Sequence, residues 1–195
     1  MPDTRVFVAG RYGLSDFDAA TDDDGFNRDT RKQDIVAGID LDLGGITILN
    51  VAAGWMGQQF DDADLANVSG ITANADLTVN VTPLTTITAK LARTLNSTVT
   101  AGASAFTETN GRVQADHELL RNLILVASLA GRRLAFHGIE RQDDHWAAGI
   151  GGEWFMNPFA RISLRYDFDM RNSHGADSVN NWRRHVMALR VSLQR

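Results

Sequence analysis

The side chains that could do chemistry in this chain are charged and amide residues that recur at every second position of long alternating stretches. From Ile71 to Thr82 the odd positions are apolar and the even ones polar, and from Ala160 the parity is reversed. The polar positions of such stretches give the candidate set Asp40, Asp42, Asn74, Asp76, Asn80, Lys90, Arg112, Asp116, Arg161, Arg165, Asp167, Asp169, Arg171 and Arg190. A polar wall of both charge signs suits water and hydroxyl-rich solutes that pass without sticking. The same residues would equally solvate or cross-link the interior of a barrel, so both interpretations stay open.

Residues for catalysis are sparse. Asp144 and His145, joined by a serine from elsewhere, would imitate a hydrolytic triad. The chain has no G-x-S-x-G nucleophile elbow, and the glycines from Gly149 to Gly152 lie inside an alternating stretch with no helix after it, unlike a dinucleotide-binding loop. The sequence therefore predicts no catalytic residue and no cofactor, and we expect a protein that is not an enzyme.

Metal ligands are weakly indicated as well. The segment 16–29 holds six aspartates, but aligning Asp22 and Asp24 with an EF-hand places Ala20 at the first ligand position and Arg31 at the last. No two of the five histidines have the spacing of a helical metal site, and cysteine is absent. We expect no bound metal. The acidic segment is typical of a solvated extracellular loop, with divalent-ion contact at a lipopolysaccharide surface as the alternative.

The overall composition excludes several classes of protein. The 195 residues suffice for one domain spanning 1–195, and a net charge of -5 with a pI near 5.4 argues against nucleic acid as a partner. No stretch approaches the ~20 apolar residues of a membrane helix, although transmembrane strands leave no such signature. The start, Met1-Pro2-Asp3-Thr4, lacks the basic and apolar regions of a secretory signal, as expected of a cytoplasmic protein or of a mature or truncated chain.

The alternation predicts ten strands joined by connections of alternating length. The strands are expected near 4–12, 32–43, 46–57, 70–82, 85–95, 99–116, 121–133, 145–156, 159–171 and 183–194. Tight turns are expected at Leu43-Gly44-Gly45, Thr82-Pro83-Leu84, His117 to Leu120 and Asn157-Pro158. Long polar loops are expected at 13–31, 58–69, 134–144 and 172–182, with a short link at Asn96-Ser97-Thr98 as the exception. This alternation is typical of the up-and-down meander of an outer-membrane barrel, whose tight turns are periplasmic.

The segment from Glu118 to Arg133 allows a second interpretation. Its leucine, isoleucine, valine and alanine residues, with little β-punctuation, are compatible with a helix of four turns. Its neighbours along the chain favour a strand.

Alternation alone does not separate a membrane barrel from a soluble β-sandwich, which also buries every second residue. The predicted strands run about 10 to 14 residues, near the ~9–11 that a tilted strand needs to cross a bilayer. The apolar positions of the stretches 35–43, 71–82, 160–171 and 186–194 hold no charged residue. Several aromatic residues lie near strand ends, as interfacial girdles do, namely Trp55, Trp146, Trp154, Phe159 and Phe168. These features favour an all-β antiparallel up-and-down transmembrane β-barrel.

Several short segments in the second half of the chain follow one another in the order and spacing of a known family. They are Pro83 to Thr88, Arg93, Ala101 to Ser104, Asp116 to Leu123, Gly138 to Asp144, Ala148 to Gly151, Asn157 and Arg165-Tyr166. On these residues the chain resembles the type 2 β-barrel porin family of outer-membrane proteins, from about residue 70 to the end and more weakly before it.

The resemblance implies a barrel in the bacterial outer membrane, tied in several members to exopolysaccharide or capsule production. The implied partners are outer-membrane lipid, lipopolysaccharide, the barrel-assembly machinery and a polysaccharide. Family members are usually longer, with a signal peptide and further strands ahead, so the chain looks like the C-terminal part of a larger barrel. It departs from the family at Leu193-Gln194-Arg195, which lacks the terminal aromatic that commonly marks such barrels for assembly.

The function expected from the residues and the resemblance together is a porin-like passive channel. One alternative is a soluble all-β binding module. The other is a structural or adhesive barrel without transport, which would use the loops 13–31 and 58–69 as its contact surface.

Overall fold

Alternating apolar and polar residues, many of them β-branched, form strands of 12 to 16 residues. The computed structural model describes residues 3–19, 21–22 and 25–193. Its strands are β1 (Asp3–Ser15), β2 (Thr30–Asp42), β3 (Thr47–Phe60), β4 (Val68–Thr82), β5 (Thr85–Ser97), β6 (Ala105–Leu120), β7 (Leu123–His137), β8 (Gln142–Asn157), β9 (Ala160–His174) and β10 (Trp182–Leu193). They pair antiparallel in sequence order within one sheet, which confirms the predicted all-β up-and-down arrangement. Within the described ranges, no helix has the length and apolar character needed to cross a membrane.

The strands confirm the predicted ones to within a few residues, except where β6 begins. The stretch from residue 99 was expected to be extended, but residues 98–104 form a loop and the strand begins at Ala105. The Thr100 carbonyl accepts a hydrogen bond from the Ala103 N–H, and Gly102 has a φ of +75°, so the chain bends here. The predicted short link at 96–98 is therefore wrong, and this connection is long like most of the others at its end of the sheet.

The connection between β7 and β8 is shorter than predicted. A polar loop was expected over 134–144, yet β7 extends to His137 and β8 begins at Gln142, which leaves only 138–141. Both extensions are strands because the neighbouring strands offer them partners, in the pairs Ala105↔His137 and Gln142↔His174. Backbone pairing therefore overrides the polar composition of this segment.

The helix considered for residues 118–133 is wrong. β6 ends at Leu120, and β7 begins at Leu123 directly opposite it. β7 has an antiparallel partner on each side, β6 and β8, and their ladders satisfy its backbone. This pairing outweighs the helical propensity of its leucine and alanine residues.

Tight turns occupy one end of the sheet and long loops the other. The turns are 43–46, 83–84, 121–122 and 158–159, so the turn predicted over 117–120 lies slightly later. Gly44 and Gly45 adopt φ values of +72° and +74°, which residues with a Cβ rarely adopt. We call this the short-turn end. The opposite end has the connections 16–29, 61–67, 98–104, 138–141 and 175–181, of which 138–141 is the one short member, and we call it the long-loop end.

The register gives the sheet two chemically different faces. Opposed residues in an antiparallel pair point to the same side, so Ile39, Val51 and Ala75 share one face, which we call the apolar face. This face is largely exposed, with Val6 73% and Leu129 67% accessible. No second sheet covers it in the described part of the chain, unlike the core of a sandwich. The opposite side is called the polar face.

Buried apolar side chains gather at the long-loop end instead. Phe60, Leu65, Val68 and Ala105 form a buried cluster, and Phe26 and Leu95 pack against it. The cluster joins two long loops, through Phe26 and Leu65, and the ends of the strands beside them. The molecule therefore has its conventional core at this end and not between layers.

The first and last strands are the edges of the sheet. Along the described residues, β1 pairs only with β2 and β10 only with β9. Each edge thus presents a row of backbone N–H and C=O groups without a strand partner. The sheet is open between these two edges.

Candidate functional site

The polar face holds every candidate residue named from the alternation. One row of opposed residues crosses the sheet through Asp40, Asp76, Lys90, Arg112 and Asp169. Neighbouring rows on the same face hold Asp42, Asn74, Asn80, Asp116, Arg161, Arg165, Asp167, Arg171 and Arg190. The structure therefore brings the predicted set to one side of the sheet.

Many charges of the polar face are paired across or along the strands. The contacts are Lys90 Nζ–Asp76 Oδ1 at 3.3 Å, Arg165 Nε–Asp167 Oδ2 at 2.8 Å, Arg184 Nη2–Asp169 Oδ2 at 2.9 Å, Arg161 Nη1–Glu153 Oε2 at 3.5 Å and Arg11 Nε–Asp34 Oδ2 at 3.0 Å. Partly exposed pairs of this kind contribute only about 0–1 kcal/mol each to stability. Their main effect is to alternate positive and negative groups along the face, which keeps it wettable.

The polar face is recessed where small residues lie between arginines. Two cavities of about 530 and 350 Å³ adjoin here, since both are lined by Arg112, Ala130, Ala147, Asp169 and Arg184. The two alanines lie in the centre of the row that joins the two arginines. We call this depression the arginine-walled recess.

Gly149 shapes the floor of the recess. A Cβ at this position would lie 2.6 Å from Asp167 Oδ1 and 2.8 Å from Arg165 Nη2. These distances are shorter than real side-chain contacts, so glycine is what lets the ion pair lie across β8.

A second depression lies on the polar face near the long-loop end of β2 to β5. The pairing of β4 with β5 ends at Ala73↔Arg93, although both strands continue. Side chains bond across this part of the sheet, since Thr72 Oγ1 donates to the Arg93 carbonyl at 2.9 Å and Gln58 Nε2 donates to Ser97 Oγ at 2.7 Å. The cavity beside them has about 500 Å³, and its lining includes Lys32, Gln58, Thr72, Asn74, Thr94 and Asn96.

Sequence reasoning missed the residue that ties the long loops together. Arg28 is only 7% exposed, and its Nε lies 2.6 Å from Asp22 Oδ2. Its Nη1 donates to the carbonyls of Thr98 at 3.0 Å and Ala103 at 2.9 Å. These partners lie 70 and 75 residues further along the chain, so no local pattern could reveal them.

Asp62 links the first two long loops through backbone amides. Its carboxylate accepts hydrogen bonds from the N–H of Asp64 at 2.9 Å and from the N–H of Asn27 at 2.8 Å. These bonds stabilise the charged form, the Asp64 bond most, and hold the pKa of Asp62 below its ordinary value.

The acidic segment does not form a metal site within the described residues. Its Asp22 pairs with Arg28, whereas Asp23 and Asp24 lie outside the described ranges. In the part of the chain that the structure describes, no group of three ligating side chains could hold an ion. The absence of a bound metal stays a prediction.

The triad considered at Asp144 and His145 is not assembled. These two residues are consecutive in β8 and therefore point to opposite faces. Asp144 lies on the apolar face and pairs with Arg133 Nε at 2.7 Å. On the polar face, Asp143 accepts a hydrogen bond directly from Ser173 Oγ at 2.5 Å, with no imidazole between them.

The apolar face is not free of charge over its whole height. The stretches predicted to hold no charged residue on this face hold none. Arg93, Arg133 and Asp144, however, lie on this face towards the long-loop end of β5, β7 and β8. Trp146 lies beside them, and its ring packs 3.1 Å from where a Cβ of Gly131 would be. Along β8 the face thus changes from apolar at Ala148 to aromatic at Trp146 and charged at Asp144 as it approaches the long loops.

Comparisons with known proteins show which family has this two-faced sheet. No curated protein matches the chain. A solved structure titled "Copper transporter OprC" is similar at 12% identity and a TM-score of 0.49, over 96% of this chain and 38% of that chain. The chain thus spans well under half of that structure's length. The family model described as "Putative beta-barrel porin 2" matches residues 1–195, including the first part, where the resemblance is weaker. The chain belongs to this β-barrel porin family.

Proposed function

We propose that this chain forms the wall of a water-filled, porin-like barrel in the bacterial outer membrane, through which hydrophilic solutes pass passively. The observation that carries the proposal is the sheet itself. One face is apolar and exposed, and the other bears paired charges of both signs across its whole width. Lipid would cover the apolar side chains of the first face, and water would hydrate the charged side chains of the second.

The dimensions of the sheet support a membrane location. At about 3.3 Å per residue, strands of 12 to 16 residues tilted by 35–45° exceed the ~25 Å apolar band of an outer membrane. Trp146 and the charged Arg93, Arg133 and Asp144 would then lie at the outer interface. Lipopolysaccharide is the partner that offers polar groups at that level, and lipid chains would cover the rest of the apolar face.

A barrel in lipid must close its edges, because an unpaired backbone group in hydrocarbon costs several kcal/mol. The edges of β1 and β10 would pair with each other or with further strands, after insertion by the barrel-assembly machinery. Ten strands closing alone give a narrow interior filled by side chains. Passage of an exopolysaccharide, which the family resemblance suggests as the solute, therefore requires a wider barrel.

The role proposed is conduction, with no catalytic step. The chain, expressed with a secretion signal, should fractionate with the outer membrane and migrate differently on a gel before and after heating. Purified protein should then conduct ions in planar bilayers. A soluble monomer that unfolds cooperatively would refute the membrane barrel, and a heat-modifiable membrane protein without conductance would refute the channel.

A further inference from the structure

The arginine-walled recess has the size and shape of a ligand site. Its two cavities of about 530 and 350 Å³ lie in the range of roughly 300–1,000 Å³ typical of small-molecule sites. Ala130 and Ala147 lie where longer side chains would fill the space between Arg112 and Arg184. The room above them is therefore a property of the sequence at these positions.

Two guanidinium groups in the recess lack an acid partner. Arg165 and Arg184 are paired with Asp167 and Asp169. In the described part of the chain, neither Arg112 nor Arg132 forms an ion pair, and the one hydrogen bond of Arg112 goes to the neutral Gln114 at 3.1 Å.

Arg112 and Arg132 are diagonal neighbours on β6 and β7, on the order of 7–8 Å apart at the backbone. Both side chains are exposed. Arg112 bonds Gln114, which lies on the side away from Arg132. If the exposed Arg112 side chain exchanges this neutral partner for an anion, both guanidinium groups can reach it, and each can bind a carboxylate through two parallel hydrogen bonds.

An aromatic ring lies beside these cations. Of the four tryptophans, Trp55, Trp146 and Trp154 lie on the apolar face, and only Trp182 lies on the polar face, opposite Arg171. Trp182 lines the larger cavity. Arg184 lies over its ring, with Cζ 5.7 Å from the ring centroid. The part of the ring that Arg184 leaves exposed offers an apolar contact to the C–H side of a sugar ring.

The recess also contains carboxylates that can accept further hydrogen bonds. Glu108 and Asp169 line the same cavity as the unpaired arginines. They already accept from Asn110 and Arg184, but each carboxylate has lone pairs left for additional donors. A phosphate concentrates its negative charge on one group beside these carboxylates, whereas sugar hydroxyls can donate hydrogen bonds to them. A sugar chain with one carboxylate and several hydroxyls on each ring therefore matches the recess better than a phosphate or a neutral apolar compound.

We propose that the recess binds carboxylate-bearing sugar units, with the carboxylate on Arg112 and Arg132 and the ring against Trp182. The proposal deepens the proposed function by naming a solute class, and it depends on that function only in requiring the polar face to be open to water.

Equilibrium binding of trigalacturonate, with neutral maltotriose as the comparison, tests the proposal on the protein in detergent micelles. We expect trigalacturonate to bind at least about 10-fold more tightly than maltotriose. Arg112→Gln and Arg132→Gln should each weaken trigalacturonate about 10-fold and leave maltotriose unchanged. Trp182→Leu should weaken both sugars.

Arg133→Gln is the matched control, because Arg133 follows Arg132 in β7 but lies on the apolar face in an ion pair with Asp144. It should bind trigalacturonate as the original chain does. Equal binding of both sugars, or an equal loss in Arg132→Gln and Arg133→Gln, would overturn the site. The heat-dependent gel shift shows that each variant is folded.

Bilayer recordings separate this proposal from the channel itself. Conductance without any trigalacturonate binding would sink the site and leave the channel. Trigalacturonate binding, lost in Arg132→Gln, in a protein that does not conduct would sink the channel and leave the site.

Discussion

The long-loop end and the middle of the sheet are held together in different ways. At the long-loop end, Phe60, Leu65, Val68 and Ala105 are buried against one another, and Arg28 bonds three partners in two loops. In the middle of the sheet, adjacent strands pair edge to edge, and no second sheet covers either face in the described part of the chain. Val36 and Ala52 are buried side chains of this middle part, on the polar face of β2 and β3. The first region resembles the interior of a soluble domain, and the second has no interior of its own.

This difference teaches that the two regions depend on different surroundings. Burial at the long-loop end removes apolar surface from water without outside help. The exposed apolar face of the middle gains that benefit only when lipid covers it. Damage to the membrane-dependent region should therefore leave the loops intact, and damage to the loops should leave insertion intact.

The largest effect is expected from a charge in the middle of the apolar face. Val113 is 49% exposed there, and Val113→Arg should cost about 2–4 kcal/mol in a bilayer. The adjacent Gln114→Arg on the polar face is the matched control and should fold almost normally. The measurement is the fraction of heat-modifiable protein in the outer membrane. Equal losses for the two variants would mean that the faces are not lipid and water faces.

The converse variant is Arg28→Ala, which should loosen the loops and not the sheet. Loss of charge-assisted hydrogen bonds from a buried guanidinium costs about 1.5–3 kcal/mol, and here it should destabilise the loops that Arg28 joins and not the whole sheet. Limited proteolysis should cut within 16–29 or 98–104 much faster, with membrane partition unchanged. Arg31→Ala is the control, because Arg31 is more than half exposed and forms an exposed ion pair with Asp61 at 3.2 Å. Loss of insertion in Arg28→Ala would contradict the separation of the two regions.

A smaller effect should come from the packing that the middle does have, on its polar face. Gly149→Val would displace the Arg165–Asp167 pair and should cost up to about 1 kcal/mol, the contribution of a partly exposed ion pair. Its urea midpoint should fall. Gly152→Ala, whose added Cβ would meet its nearest neighbour at 3.6 Å, should leave the midpoint nearly unchanged. If both variants have the same urea midpoint, the missing side chain of Gly149 is not what allows the Arg165–Asp167 ion pair to form.

The sequence predicts the strands and the faces well because both follow from a period of two. The alternation over 71–82 and 160–171 places Asp76, Asp167 and Asp169 on the polar face, and the register confirms it. The same rule fails at 99–104, where alternation continues through Val99, Ala101 and Ala103 but a backbone bond to Thr100 turns the chain. A periodic pattern cannot reveal a local turn that keeps the pattern.

Pairing is what the sequence could not supply. Arg132 and Arg133 are two adjacent arginines that the sequence does not distinguish. In the structure, Arg133 pairs with Asp144 on the apolar face, whereas Arg132 lies on the polar face without an acid partner among the described residues. The recess likewise exists because the register places Ala130 and Ala147 in the same row as arginines. That register is set by the pairing of whole strands and cannot be seen in the residues of one strand. Candidate residues are thus predictable as a face, and a site within that face is not.

The smallest expected effect is a pH dependence confined to the long loops. Asp62 lies in the loop 61–67, and the amides of Asp64 and Asn27 hold its pKa below the ordinary value for aspartate. The bonds therefore stabilise the loops at any pH above the unfolded-state pKa, and this contribution is lost as the pH falls through the lower folded-state pKa. Proteolysis of 16–29 by an acid-active protease should rise in that interval, while the heat-dependent gel shift persists. In the Asp62→Asn variant, this segment should be cleaved faster at neutral pH, and its cleavage rate should no longer depend on pH in that interval. A gel shift that disappears together with loop protection would instead show that the loops and the sheet unfold as one unit.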